Sequence, residues 1–240
     1  MKTSIACVVM LAQASFSFVA AAQEVPSFWV ADTLVRIPAP DGFFRYDGRH
    51  PEVDKIARRI VGTKRLVAAY SSRQDLEQAL SGRYPRLERH FSVQTNPELE
   101  SETIDSELFD LLKQKLRQDF ADGLAKYEDT IKEVESDGSA AVRLSRRFTG
   151  MKISEVIPLG FFDESADSSC FSMLMQGSVS AVDSAEPPKY ITVSVVCVLR
   201  VHDRLLYLSC SSKYEGKPDI EWARRSILRW RDSVRAANAL

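Results

Sequence analysis

Two periods run through the apolar positions of this chain. Ile104, Leu108, Leu111, Leu112, Leu116, Phe120 and Leu124 recur at three- and four-residue steps. That spacing predicts a long amphipathic helix over about Ile104 to Val134, with one apolar stripe turned to the core. Gly123 interrupts it at a cost of about 1 kcal/mol relative to alanine. Ile220, Ala223, Ile227, Trp230, Val234 and Ala237 form a second stripe, and Asp219, after Pro218, is its N-cap candidate. Arg224, Arg225, Arg229, Arg231 and Arg235 lie mainly off that stripe. Two shorter helices are expected. One runs from Pro51 to Val61, opened by proline and stopped at Gly62; the other runs from Arg73 to Leu80 behind Ser72 as N-cap.

Elsewhere the pattern turns β-like. Ile153 to Phe162, Cys170 to Val179, Tyr190 to Val201 and Leu205 to Ser211 read as strands. Val201-His202-Asp203-Arg204-Leu205 has the shape of a tight antiparallel turn between the last two. The density of Val, Ile, Leu and Tyr there predicts adjacent central strands, buried on at least one face. Earlier, Phe28 to Val35, Phe43 to Tyr46 and Arg65 to Tyr70 read as short strands, with Pro38, Pro40 and Asp41-Gly42 as turn punctuation. Leu87 to Thr95 alternates, although Arg89 breaks its apolar set. Ser136 to Ser139 is the best candidate for an internal boundary, and Asp183 to Pro188 is an acidic loop with two prolines.

The first residues obey neither period. Lys2 supplies a positive start, Ile5 to Val19 is mostly apolar, and Ala20-Ala21-Ala22 offers the small residues a signal peptidase reads. The expectation is a signal peptide over residues 1–22, cleaved before Gln23, and a single α+β domain over residues 23–240. The rival reading is an uncleaved anchor over Ser4 to Ala22, but Gln13, Ser15 and Ser17 dilute its apolar run. A lipid-modified Cys7 is set aside because too few residues precede it. The expected location is periplasmic or secreted, with no stable membrane span after cleavage.

Composition narrows the chemistry. With 45% hydrophobic and 27% charged residues the chain has material for a real core. Its 32 basic and 33 acidic residues are near balance, which argues against a nucleic-acid binder. Cys170, Cys197 and Cys210 follow the leader, enough for one internal disulfide and one leftover thiol in an oxidising compartment. Cys197 and Cys210 flank the predicted hairpin and are nearest in sequence, but strand register decides whether they meet. The alternative is three buried thiols packed as small apolar groups.

The order strand, strand, tight hairpin, polar linker and amphipathic helix with Trp222 and Trp230 occupies residues 190–238. Leu205-Leu206-Tyr207-Leu208 leads to Trp230, and Arg36-Ile37-Pro38 precedes Phe43. This ending and opening resemble PsbP/Mog1-type domains, and the layout is similar to uncharacterised exported bacterial proteins. The resemblance implies a twisted antiparallel β-sheet flanked by helices, an α/β/α sandwich. It also implies an accessory or binding role with no shared catalytic set. The long helix near Ile104 departs from that pattern.

No reactive constellation stands out. His50, His90 and His202 match no metal-ligand spacing. Cys-x-x-Cys, glycine-rich phosphate loops and the serine elbow are absent. His202 and Cys210, eight residues apart on one hairpin, lie too far apart for a catalytic pair. Asp163, Glu164 and Asp167 are the densest acidic set near apolar residues, and read as a solvated hairpin loop. Arg58-Arg59, Lys64-Arg65, Arg146-Arg147 and the C-terminal arginines are the candidates for meeting an anion. The sequence therefore assigns no catalytic, cofactor-binding or metal-ligating residue and requires no cofactor. It points to an exported, non-enzymatic binding or accessory protein with a protein or small-molecule partner in the envelope. The alternative is an exported hydrolase whose site is assembled from distant residues, such as the Asp163 to Asp167 loop and one histidine.

Overall fold

The computed structural model describes residues 25–48, 63–81, 88–128, 131–132, 156–178 and 189–239. The leader, the helix expected at Pro51 to Val61, the Ser136 to Ser139 and Asp183 to Pro188 loops, His50, Arg58-Arg59 and Arg146-Arg147 lie outside the described residues. The chain order is β1 (Ser27–Val30), β2 (Thr33–Arg36), β3 (Phe43–Arg45), β4 (Arg65–Ser72), α1 (Arg73–Leu80), β5 (Arg89–Thr95) and α2 (Ser106–Lys126). Then follow β6 (Val156–Glu164), β7 (Ser168–Ser178), β8 (Lys189–Val201), β9 (Arg204–Lys213) and α3 (Lys217–Asn238).

Seven strands form one antiparallel sheet in the order β3-β4-β5-β9-β8-β7-β6. The pleat sends alternate side chains of β8 to opposite faces. Val193, Val195, Cys197 and Leu199 join the core under α3, with Ile220, Ala223, Ile227, Trp230 and Val234 of that helix. Val196 and Val198 face the other way and pack with Phe109, Leu112, Leu116 and Phe120 of α2. A helix thus covers each face, and β8, buried on both, reads as a nearly unbroken apolar run. The expected α/β/α sandwich is the observed fold.

Local chemistry explains several boundaries. His202 and Asp203 both adopt left-handed backbone, as a two-residue hairpin turn requires, so β8 and β9 close where the sequence placed the turn. Ser72 Oγ accepts from the Asp75 amide at 3.1 Å and caps α1. Asp105 caps α2 by accepting from the Leu108 amide at 2.8 Å. Gly123 lets α2 lie close to β6: a Cβ there would stand 2.8 Å from Pro158 Cγ.

Two element expectations are corrected. Phe28 to Val35 is not one strand but a hairpin, β1 and β2, turned at Ala31, whose φ of 49° is left-handed. Nothing in the residue type Ala announces that turn; what stabilises it is burial of Val30 and Val35 beneath the C-terminal half of α3. Asp219 is not the N-cap of α3. The helix begins at Lys217, and Asp219 sits in its first turn and accepts from the Glu215 amide at 2.8 Å.

The cysteines are settled by register. Cys170 and Cys197 are direct cross-strand partners on β7 and β8, with Cα atoms 4.1 Å apart, and they form the disulfide. Cys210 lies opposite Val195 and Cys197 opposite Leu208, so the pair nearest in sequence is offset by two positions. Cys210 stays a buried free thiol, and burial pushes its pKa well up. Among the described residues, no helix is long and apolar enough to cross a membrane.

Candidate binding site

Helix α3 lies over the middle of the sheet, and its two flanks differ. On the β7–β6 side its arginines are consumed. Arg231, almost fully buried, donates to Asp163 and approaches Cys170 Sγ at 3.8 Å. Burial works against its charge, but hydrogen bonds to Asp163 and Asp232 more than offset that and leave its pKa raised. Arg235 pairs with Asp167 at 2.8 Å, and Arg224 donates to Ser172 at 2.8 Å and lies over the Phe162 ring. Glu164 pairs with Arg117 of α2. The acidic set Asp163, Glu164 and Asp167 is therefore not a solvated loop. Each of its carboxylates is neutralised by an arginine, which ties β6 and the β6–β7 turn to the helices.

The opposite flank carries Trp222, Ser226, Arg229 and Ser233, again at alternating four- and three-residue steps. It borders a recess of about 180 Å³. The other wall is the turn at Pro40. There the Phe43 amide donates to the Pro40 carbonyl at 3.0 Å, and Gly42 takes a φ of 77°. A tight turn of this kind needs positive φ at its third residue, which is why Asp-Gly stands there. The turn sends Asp41 to the rim and brings Phe43 back toward the sheet.

Aromatic rings form the floor. Phe43 meets Phe91 edge-on at 4.6 Å, and Phe91 meets Trp230 at 5.3 Å and Trp222 at 6.1 Å. Such edge-to-face contacts hold rings in fixed orientation. Trp230 is pinned further, since its indole N–H donates to the Pro38 carbonyl at 2.8 Å. Arg89, which broke the apolar alternation of β5, stacks on Trp222 at 4.1 Å. The charged rim is different in kind. Arg229 and Asp41 are both exposed, both line the recess, and among the described residues neither side chain has an ion pair or hydrogen bond, with each other or with anything else.

A second, wider cleft of about 500 Å³ lies beyond Arg89, between α1 and the start of α3. Its polar groups are largely satisfied internally. Ser72 donates to Asp75 at 2.8 Å, Lys213 pairs with Glu215 at 2.6 Å, and Arg89 stands 3.9 Å from Asp219. The first recess is the better candidate because it combines an apolar floor with charged groups still unspent.

Other groups singled out from the sequence are placed apart. Among the described residues no cluster of histidine, cysteine and carboxylates could hold a metal ion. His202 is exposed in the β8–β9 turn, and Cys210 is fully buried farther along β9, so they make no pair. Arg65 is taken by Glu100, whose pKa is lowered: burial opposes the charge, and hydrogen bonds from Arg65 and Thr95 outweigh it. Lys64 lies over the Tyr207 ring at 3.6 Å with its pKa lowered by burial. Of the five C-terminal arginines, Arg225 pairs with Glu221, so Arg229 is the one whose guanidinium remains unengaged among the described residues. Sequence reasoning grouped the five together. The signal that separates Arg229 is its phase, which places it with Trp222 and Ser226 rather than with Arg224 and Arg231.

No family model and no curated protein matches this chain. Among solved structures, the crystal structure of the Saccharomyces cerevisiae Ran-binding protein Mog1p is similar over 85% of this chain and 86% of its own, at 14% identity and a TM-score of 0.29. The layered fold stands on the strands and helices themselves.

Proposed function

We propose that the chain is the precursor of an exported, non-catalytic binding domain, which takes its ligand in the recess beside Trp222. In this reading residues 1–22 direct export and are removed, and residues 23–240 work as one domain in the periplasm or outside the cell. The Cys170–Cys197 disulfide supports that location, because such bonds persist in oxidising compartments. The observation that carries the binding role is the combination of a fixed aromatic floor with Arg229 and Asp41 at its rim, both unpaired among the described residues. A hydrolase built on Asp163 to Asp167 is disfavoured, since those carboxylates are held by Arg231, Arg117 and Arg235.

The test has two arms. Intact-mass measurement of the protein secreted by its own cell should give a chain starting at Gln23 and oxidised at one pair of cysteines. A mature protein beginning at Met1, or three free thiols, removes the exported reading. Native mass spectrometry of the purified protein after exposure to envelope extract should give a bound species. That species should be lost when Trp222 is replaced by alanine. Capture undiminished in Trp222→Ala removes the recess as the site.

A further inference from the structure

The recess is too small for a large ligand. Its volume of about 180 Å³ falls below the roughly 300–1,000 Å³ that drug-sized ligands occupy. One ring and a few polar atoms fill it. Phe43 and Trp222, half-buried and held by the buried Phe91 beneath them, suit a planar ring, because offset and edge-on aromatic contacts add to the gain from area burial alone.

The rim then sets the charge pattern. Arg229 presents a guanidinium whose fork matches a carboxylate. Asp41 presents a carboxylate that suits an ammonium group. They face one concavity without pairing, although each lacks any other partner among the described residues. Two unpaired opposite charges lining one recess with Phe43 and Trp222 are complementary to a molecule that carries both charges and a ring. A purely anionic ligand leaves Asp41 repelling it, and a purely cationic one leaves Arg229 doing so. The turn that carries Asp41 is braced by Gly42 and by the Trp230–Pro38 hydrogen bond, so the two charged groups stand on supported backbone.

We propose that this recess binds a small ring-bearing zwitterion, an aromatic α-amino acid, with its carboxylate on Arg229, its ammonium on Asp41 and its ring against Phe43 and Trp222. The assignment rests on the binding role argued above and names the ligand class for the same site.

The experiment uses the mature protein and reads tryptophan fluorescence, since Trp222 and Trp230 line the recess. L-phenylalanine is titrated beside L-alanine, which lacks the ring, 3-phenylpropanoate, which lacks the ammonium, and phenethylamine, which lacks the carboxylate. Phenylalanine should give a saturable change, and each analogue should bind at least about tenfold more weakly, the weight of one lost charged contact or, for alanine, of the lost ring burial. Arg229→Gln and Asp41→Asn should each weaken phenylalanine about tenfold. Asp41→Asn should not weaken 3-phenylpropanoate, which has no ammonium to lose. Both positions are exposed, so the variants fold.

No saturable response to phenylalanine up to roughly 10 mM overturns the proposal. So does equal binding of phenylalanine and 3-phenylpropanoate, or indifference to both charge variants. If extract capture still yields a Trp222-dependent ligand of another class, the binding role stands and this assignment alone falls. If capture also yields nothing, both fall.

Discussion

The two flanks of α3 put the same residue type to opposite uses. Arg231, two positions after Arg229, is almost fully buried, engaged by Asp163 and Asp232, and stands against the disulfide. Arg229 is exposed and unengaged among the described residues, at the rim of an aromatic recess. Two residues, about half a turn of helix, separate a closed side from an open one. On the closed side Asp163, Glu164 and Asp167 are each matched by an arginine, and removal of a partner should show as lost stability. On the open side Arg229 and Asp41 are matched by nothing in the described chain, and their removal should show only when a ligand is present. The comparison teaches that a guanidinium's burial and partners, not its count in the sequence, decide whether it serves the fold or a partner.

Breaking the closed side at its covalent point should have the largest effect. Cys170 and Cys197 are 27 residues apart, and the loop-closure argument gives a disulfide of that span about 3–4 kcal/mol. A Cys170→Ala, Cys197→Ala protein should lose about that much in urea unfolding. It should retain the sheet order, because β7 and β8 are also joined along their whole length. A loss under about 1 kcal/mol means that backbone pairing alone already holds the two strands.

Next comes Arg231→Ala. Removing one partner of a fully buried pair costs about 3–5 kcal/mol. Here Asp163 keeps 31% of its side chain exposed, so water reaches the orphaned carboxylate and the expected loss is about 2 kcal/mol. Arg231→Met, which restores the packed stem without the charge, should recover part of it. If Arg231→Ala and Arg229→Ala cost the same, the distinction between the flanks is wrong.

These differences were only partly legible in the chain. The period of α3, the β8–β9 turn and the Ser72 cap are local signals, written within a few residues of where they act. The Cys170–Cys197 bond and the Asp163–Arg231 pair depend on register between distant strands and on which way a helix is rolled, neither of which local spacing carries. The recess is more distributed still. Phe43, Phe91 and Trp222 come from β3, β5 and α3, and they meet because the strand order places β5 between β4 and β9. Asp41-Gly42 was readable as a turn, but its role as one rim of a site follows only once α3 lies beside it. The β1–β2 hairpin was missed because a left-handed alanine has no sequence signature.

The α2 layer gives a smaller test on the other face of β6. Replacing Gly123 by alanine favours the helix by about 1 kcal/mol through propensity. The new Cβ would stand 2.8 Å from Pro158 Cγ, in a stiff ring on a strand already irregular in register between Pro158 and Gly160. Overpacking of this kind costs about 1–3 kcal/mol, so Gly123→Ala should lose about 1 kcal/mol net. A gain of stability means that α2 and β6 have room to separate, and that the closed side ends at β7.

The smallest effect is the most informative about the open side. Arg229→Gln should change stability by less than about 0.5 kcal/mol in the absence of ligand, as an exposed residue with no partner among the described residues does. A ligand that binds only the folded protein at a hundred times its Kd stabilises it by about 2.7 kcal/mol. With phenylalanine added at a fixed concentration, the wild-type protein should rise in Tm while Arg229→Gln rises less, because its Kd is higher. Two melting curves that coincide without ligand and part with it isolate recognition from folding. If instead Arg229→Gln melts lower than wild type with no ligand present, then Arg229 contributes to the fold as Arg231 does, and the open flank is only a less crowded version of the closed one.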